Sequence, residues 1–231
     1  METTKRKSIF GRREIDMTQG SIPVNILKFA FPLLLGNLFQ QFYNMVDMWV
    51  IGQTDNVDAF AAVGNVGPII NMLIGFFMGL ASGAGVIISQ YYGAKNEKKV
   101  NEVAHTSIAL TLVMAVIFTI LGVALTPLLL KLMLNSQEGA STVYPYAKTY
   151  LTIYFSGVIG LMLYNMGAGI LRAIGDSTRP FYFLVVSALT NIVLDLVFVF
   201  VFDMGVAGVA LATIIAQFIS ALLTILTLMK T

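Results

Sequence analysis

Long apolar stretches, separated by short polar or charged turns, dominate the sequence from about residue 23 onward. Each stretch is long enough to cross a bilayer, which takes about 20 mostly apolar residues in a helix. The pattern therefore predicts an all-α integral membrane protein with six spanning helices rather than a barrel. The predicted helices cover residues 23–51, 59–92, 100–134, 144–172, 181–203 and 206–229.

A stripe of polar side chains interrupts the first predicted helix. Its members follow one another at steps of one or three residues, so they share one face, and that face should turn toward protein or water rather than lipid. For the amides, interhelical hydrogen bonding and the lining of a cavity both stay open as interpretations. For the acid we favour a function. The stripe consists of Asn37, Gln40, Gln41, Asn44 and Asp47.

A second carboxylate lies within the fifth predicted helix, which is otherwise apolar. Asn191 and Asp195 are four residues apart and share one face of this helix. A carboxylate at such a depth costs about 2.5 to 3.5 kcal/mol to insert, and it commonly marks an ion or proton pathway. The alternative is an Asp that is neutralised by a structural hydrogen bond.

The two acids together suggest one shared cation or proton site. Asp47 and Asp195 would repel each other in a low-dielectric pocket, and a bound cation or proton would relieve that repulsion. We expect the first, fifth and sixth helices to be adjacent, with the carboxylates within roughly 4 to 8 Å. The alternative is two separate acids, each bonded to its own partner.

Composition narrows the function further. The chain is 57% hydrophobic and 11% charged, with a mean hydropathy of +0.82, whereas a soluble domain carries about 25% charged residues. It has no cysteine, and its single histidine, His105, cannot build a zinc site alone. No nucleophile–base pair, nucleotide-binding loop or cluster of metal ligands is visible, so we expect no enzyme activity, no cofactor and no nucleic-acid partner.

The distribution of Lys and Arg predicts the orientation. Twelve of the fourteen fall on one side of the six predicted spans, which places both termini in the cytoplasm by the positive-inside rule. Lys131 and Lys148 fall on the other side. We therefore expect a multi-pass protein of the inner (cytoplasmic) cell membrane.

Several other positions qualify the predicted helices. Pro32 should kink the first helix because it lacks an N–H and clashes with the preceding turn. Tyr150 and Tyr154 share a face of the fourth helix, as Thr213 and Gln217 do in the sixth, although a lone membrane Thr usually bonds its own backbone. Glycines of the second helix should allow close helix packing. They include Gly64, Gly67, Gly75, Gly79, Gly83 and Gly85.

Several motifs together resemble the multidrug and toxic compound extrusion (MATE) family over residues 20–230. Beyond Pro32 and Asp47, the resemblance rests on Ser89-Gln-Tyr-Tyr-Gly-Ala-Lys95 and Leu171-Arg-Ala-Ile-Gly-Asp-Ser-Thr-Arg-Pro180. It also rests on Asn191-x-x-x-Asp195 and Gly205-Val-Ala-Gly-Val-Ala-Leu-Ala-Thr213. The resemblance implies antibiotic resistance through export of cationic, often aromatic, drugs in exchange for Na⁺ or H⁺.

The resemblance also implies a set of site residues. The family's N-lobe cation site corresponds here to Asp47, Asn191, Asp195 and Thr213, with Na⁺ or H⁺ as the coupling ion, and its helix hinge corresponds to Pro32. We expect a drug cavity next to this site. Its lining should include Gln40, Asn44, Tyr150, Tyr154 and Gln217.

Length is the departure from the family, whose members have two six-helix lobes. We expect residues 1–22 to form a cytoplasmic tail and residues 23–231 to form one lobe, either as a fragment or as a chain that pairs with a second lobe. Alternating access needs two bodies. Two other functions stay open, a lipid or polysaccharide flippase and a half-protein that does not transport.

Overall fold

The computed structural model describes residues 21–134 and 139–230. The predicted tail of residues 1–22 lies almost entirely outside the described residues. In the described part every regular element is helical. The elements are α1 (Ile22–Gly52), α2 (Val57–Gly93), α3 (Glu97–Leu134), α4 (Ala140–Ser156), α5 (Val158–Ala173), α6 (Thr178–Leu196), a π-helical turn (Val197–Val201) and α7 (Gly205–Leu228).

The fourth predicted helix is wrong as a single rod. It begins at Ala140 and breaks at Gly157, which ends α4 and starts α5, and the two halves meet at a bend of 50°. The side chain of Ile214 occupies the space that a Cβ on Gly157 would need. The break therefore lets α7 pack directly against the bend, a reason that the uninterrupted apolar pattern does not reveal.

The fifth predicted helix is also corrected at its end. It starts at Thr178, and directly after Asp195 and Leu196 the regular α-helix gives way to a π-helical turn. Within it Phe202 N–H donates to the carbonyl of Val197, five residues back. Such turns often lie at functional sites. Hydropathy does not separate them from α-helix, because both are continuous apolar runs.

Helices α5 and α7 form the centre of the bundle. α7 packs along α4, α5 and α6, α2 packs along α4 and α5, and α1 packs mainly on α6 with a smaller contact to α7. Small side chains such as Ala188, Ala212 and Ala216 are buried where α6 meets α7. The first, fifth and sixth predicted helices, now α1, α6 and α7, are therefore adjacent.

The turn between α1 and α2 is tied to α4. Asn56 donates to the Tyr146 hydroxyl at 3.0 Å, and the Thr142 hydroxyl donates to Asp58 at 3.0 Å. At the opposite end Gly85 of α2 lies against Ala173 of α5. These contacts place the α2–α3 and α5–α6 turns at the same end of the bundle, as the predicted topology requires.

Four helical segments are long and apolar enough to cross a membrane: α2, α3, α6 with its π-helical turn, and α7. The bent pair α4–α5 makes a fifth if it counts as one span. α1 is not among them. Six rods result when α1 and the bent pair are both counted, which is the predicted all-α membrane bundle.

Candidate functional site

Four of the predicted site residues converge inside the bundle. Asp47 comes from the last turns of α1, Asn191 and Asp195 from one face of α6, and Thr213 from α7. All four are buried, and Asp195 is fully inaccessible. Helix α6 positions its two members by their four-residue spacing, and the contact of α6 with both α1 and α7 brings the others to them.

Direct contacts link these four side chains. Asp47 interacts with Asp195, Thr213 and Asn191. The Asn191 amide donates to the Thr213 hydroxyl at 3.4 Å, and that hydroxyl lies 3.4 Å from Oδ2 of Asp47. The hydroxyl is closer, at 3.0 Å, to the backbone carbonyl of Val209. Since a hydroxyl has one proton, donation to Val209 leaves its lone pairs free to accept from Asn191 and to face a cation or a protonated carboxyl group.

The oxygens of the site outnumber its donors. Oδ1 of Asp47, Oδ1 of Asn191 and both carboxylate oxygens of Asp195 are buried without a hydrogen-bond partner among the described residues. A buried carboxylate that lacks a donor or counter-charge is costly. A bound cation with oxygen ligands, or a proton shared between the two acids, supplies what these atoms lack.

Two tyrosines of α4 stand beside the acids. Tyr150 and Tyr154 are buried, and their rings stack with centroids 6.3 Å apart and planes 12° apart. Gln217 of α7 is also buried and donates to the Tyr154 hydroxyl at 3.5 Å. Both rings interact electrostatically with Asp47. The structure thus brings Tyr150 and Tyr154 to the acids, and Gln217 to Tyr154.

The polar stripe of α1 only partly faces the protein interior. Asp47 is buried, Gln40 and Asn44 are half-buried, but Asn37 and Gln41 are exposed. That Asn37 and Gln41 face protein or water rather than lipid stays a prediction.

Pro32 precedes the contacts of α1 with α6. Exposed side chains occur on both sides of it, since Leu27, Phe31, Leu34 and Leu38 are all more than 60% exposed. After it, Gly36 lies against Leu184, and the ring of Phe39 meets Phe181 edge-on at 5.9 Å. α1 runs as one helix through Pro32.

Sequence reasoning missed two residues near the site. Tyr43 is buried and interacts with Gln40, Asp47 and Tyr154. Ser187 is buried one turn before Asn191 and bonds to α7. The available signal was spacing, because Tyr43 precedes Asp47 by four residues and Ser187 precedes Asn191 by four.

A separate groove lies between α2, α3 and α5. Its volume is about 600 Å³, and it runs past Gly79 and Gly83 toward Lys99 and Glu102 at the α2–α3 turn. The two charged groups pair with each other at 2.6 Å. None of the predicted site residues lines this groove.

Comparison with known proteins gives a family match over most of the chain. The family model MatE matches residues 32–197. The chain is 35% identical over 206 residues to the probable multidrug resistance protein YoeA of Bacillus subtilis, covering 87% of this chain and 44% of that protein. It is 32% identical over 207 residues to the probable multidrug resistance protein YpnP of the same organism, covering 90% and 46% respectively.

Solved structures with the same fold are larger than this chain. One is a MOP superfamily transporter from Pyrococcus furiosus, for which a reversed polarity of the binding pocket suggests a different function. It matches with a TM-score of 0.84 and 27% identity over 94% of this chain and 47% of its own. A MATE in the straight conformation matches at 0.81 and 27%, with the same coverage. The chain thus spans about half the length of the relatives it matches.

Proposed function

Because the chain belongs to the MATE family of transporters, we propose that it forms the cation-coupling lobe of a multidrug exporter. The buried oxygens of Asp47, Asn191 and Asp195 that lack donors carry this proposal. They form a site that is more stable with Na⁺ or a proton than without. Drug export itself, the drugs concerned and a second lobe of six helices belong to the same proposal.

Coupling follows from the elements that hold the site. The ligands come from three helices, so a bound cation favours the arrangement in which α1, α6 and α7 meet. A drug that binds in the neighbouring cavity of Tyr150, Tyr154, Gln217, Gln40 and Asn44 favours a different arrangement. The two ligands then exclude each other through their preference for different states, without touching.

The first experiment measures unfolding of the full purified chain against NaCl, with KCl at equal ionic strength as the reference. Na⁺ at a hundred times its dissociation constant should stabilise the folded chain by about 2.7 kcal/mol. Asp47→Asn and Asp195→Asn should remove this gain because each removes a ligand charge. Asp55→Asn is the matched control, since Asp55 is exposed and its positive φ of 53° suits Asn.

The same measurement separates the two ions. If a change of pH replaces the effect of Na⁺, and both site variants remove that pH dependence, the proton is the coupling ion. A wild-type chain whose stability responds to neither ion contradicts the proposal, as does a full Na⁺ response in both site variants.

We also propose that Pro32 is the hinge of α1, since proline removes one backbone hydrogen bond of the helix just before its contacts with α6 at Gly36 and Phe39. The chain has no cysteine, so spin labels can be placed at Leu27→Cys and Tyr182→Cys, both exposed positions. Na⁺ should shift this distance distribution in the wild-type background. It should leave one unshifted distribution in Pro32→Ala, because the substitution restores a regular helix.

A control pair at Leu38→Cys and Val193→Cys reports on the packed half of α1 and should not respond to Na⁺. An equal response in Pro32→Ala and in the proline-containing background shows that Pro32 is only a packing residue.

The orientation is part of the proposal as well. The α2–α3 turn with Lys95, Lys98 and Lys99 and the α5–α6 turn with Arg172 and Arg179 lie at one end of the bundle, which we assign to the cytoplasmic face of the cell membrane.

A further inference from the structure

Most buried hydroxyls in the described helices bond within their own helix. Thr111, Thr126 and Thr224 each donate to the carbonyl four residues back, and Ser220 donates to the carbonyl three residues back. This is the usual arrangement for Ser and Thr in a membrane helix. Such bonds leave the relative positions of neighbouring helices unaffected.

Ser187 of α6 differs, because its hydroxyl crosses to α7 and donates to the carbonyl of Ala216 at 2.7 Å. The carbonyl has a second lone pair for the regular bond of its own helix, so α7 is not disrupted. Ser187 is buried, and the small side chains of Ala188, Ala212 and Ala216 let the two helices approach.

This crossing bond lies one turn from the candidate cation site. Ser187 precedes Asn191 by four residues on α6, while Ala216 follows Thr213 by three residues on α7. Ser187–Ala216 and Asn191–Thr213 are therefore successive links between two antiparallel helices. The Ser187–Ala216 bond is short at 2.7 Å, whereas the Asn191–Thr213 bond within the site is long at 3.4 Å. Bonds of 3.4 Å are weak, so the Asn191–Thr213 bond cannot fix the register of the two helices alone.

We propose that Ser187 is a positioning residue for the cation site, setting the register of α6 against α7 in which Asn191 and Thr213 face the two carboxylates. This inference rests on the proposed cation site. Ser187 is not a ligand; it acts through the placement of Asn191 and Thr213. Without its bond, the two helices lose the short contact nearest the site, and the ligand oxygens converge less closely.

The test compares Na⁺ affinity in the full chain for Ser187→Ala, Ser187→Cys and Ser220→Ala, using the midpoint of Na⁺-dependent stabilisation. Loss of one buried hydrogen bond should weaken the apparent affinity of Ser187→Ala roughly three- to tenfold. Ser187→Cys should lie between it and wild type, because a thiol of similar size is a weak donor. Ser220→Ala is the matched control, a buried serine whose bond stays within α7.

The outcomes are distinct. If Ser187→Ala unfolds more easily without Na⁺ but keeps the wild-type affinity for Na⁺, Ser187 has only a structural role and the inference is overturned. Equal losses in Ser187→Ala and Ser220→Ala overturn it too. If Ser187→Ala fails to fold, wild-type affinity in Ser187→Cys has the same meaning. If the wild-type chain responds to Na⁺ and none of these variants differs from it, the positioning role of Ser187 is rejected while the proposed cation site stands. If protons replace Na⁺, the pH midpoint is compared instead.

Discussion

Glycines have opposite surroundings in two helices of this bundle, since those of α5 are packed closely and most of those of α2 are not. In α5, a Cβ at Gly167 would overlap the side chain of Thr224, and one at Gly160 would lie 3.1 Å from the backbone nitrogen of Phe218. In α2, a Cβ at Gly75, Gly79 or Gly83 would meet no atom within 4 Å. Gly160 and Gly167 are therefore required for the contact of α5 with α7, whereas Gly75, Gly79 and Gly83 of α2 meet no neighbour in the described residues.

The difference shows which parts of the bundle are fixed. α7 carries Thr213 and lies in a groove that the glycines of α5 create, so its distance from the site has little freedom. The face of α2 has no such restraint. The sequence-based expectation of close packing was thus wrong for Gly67, Gly75, Gly79 and Gly83, although it was correct at Gly85, which lies against Gly169 and Ala173.

The largest difference in stability should come from placing a leucine at a glycine of α5 that faces α7 and, for comparison, at a glycine on the open face of α2. Gly167→Leu forces the new side chain against Thr224 and Leu228 and should lower the free energy of unfolding by about 3 kcal/mol, the upper end for overpacking. Gly79→Leu is the matched control and should change it by less than about 1 kcal/mol, because leucine is also the better helix former. The midpoint of SDS-induced unfolding of the purified chain measures both. Equal losses of stability in Gly167→Leu and Gly79→Leu would show that the two glycine faces do not differ in packing.

A smaller effect is expected from a single methyl group. Gly160→Ala places its Cβ at 3.1 Å from Phe218 N and 3.3 Å from the carbonyl carbon of Gln217, so α5 and α7 must separate by a few tenths of an ångström. We expect a loss of about 1 kcal/mol. Gly83→Ala, on the open face, should gain up to about 1 kcal/mol from helix propensity. If Gly160→Ala is more stable than the wild type, the contact between α5 and α7 accommodates the methyl group without a loss of stability.

The helical membrane fold was predictable, because apolar length and charge distribution determine it almost alone. The start and end of α1, α2 and α7 agree with prediction to within two residues. The break at Gly157 and the π-helical turn after Leu196 were not predictable. Both lie where α7 packs, with Ile214 against Gly157 and Phe198 against Gly208, and the periodicity of a single helix contains no such information.

The convergence of the candidate site residues could be predicted from the sequence better than the residues that surround them. Carboxylates are so costly inside apolar helices that Asp47 and Asp195 stand out in any reading of the sequence. The resemblance to a family added Thr213, whose backbone bond to Val209 would otherwise mark it as ordinary. Ser187 and Tyr43 gave no comparable signal, because a lone serine or tyrosine is unremarkable until a neighbouring helix supplies its partner. The function of all these residues stays a prediction until it is tested.

The position of α1 and its packing partners along the chain has a consequence for how the protein is made. α1 leaves the ribosome first among the described helices, yet its main packing partner is α6, and α2 to α5 are synthesised in between. Until α6 arrives, Asp47 has neither Asn191 nor Thr213 beside it, and the polar stripe favours the membrane surface over the hydrocarbon. We therefore expect stable insertion of α1 to be completed late in biosynthesis, when α6 and α7 enter the bilayer and cover Asp47.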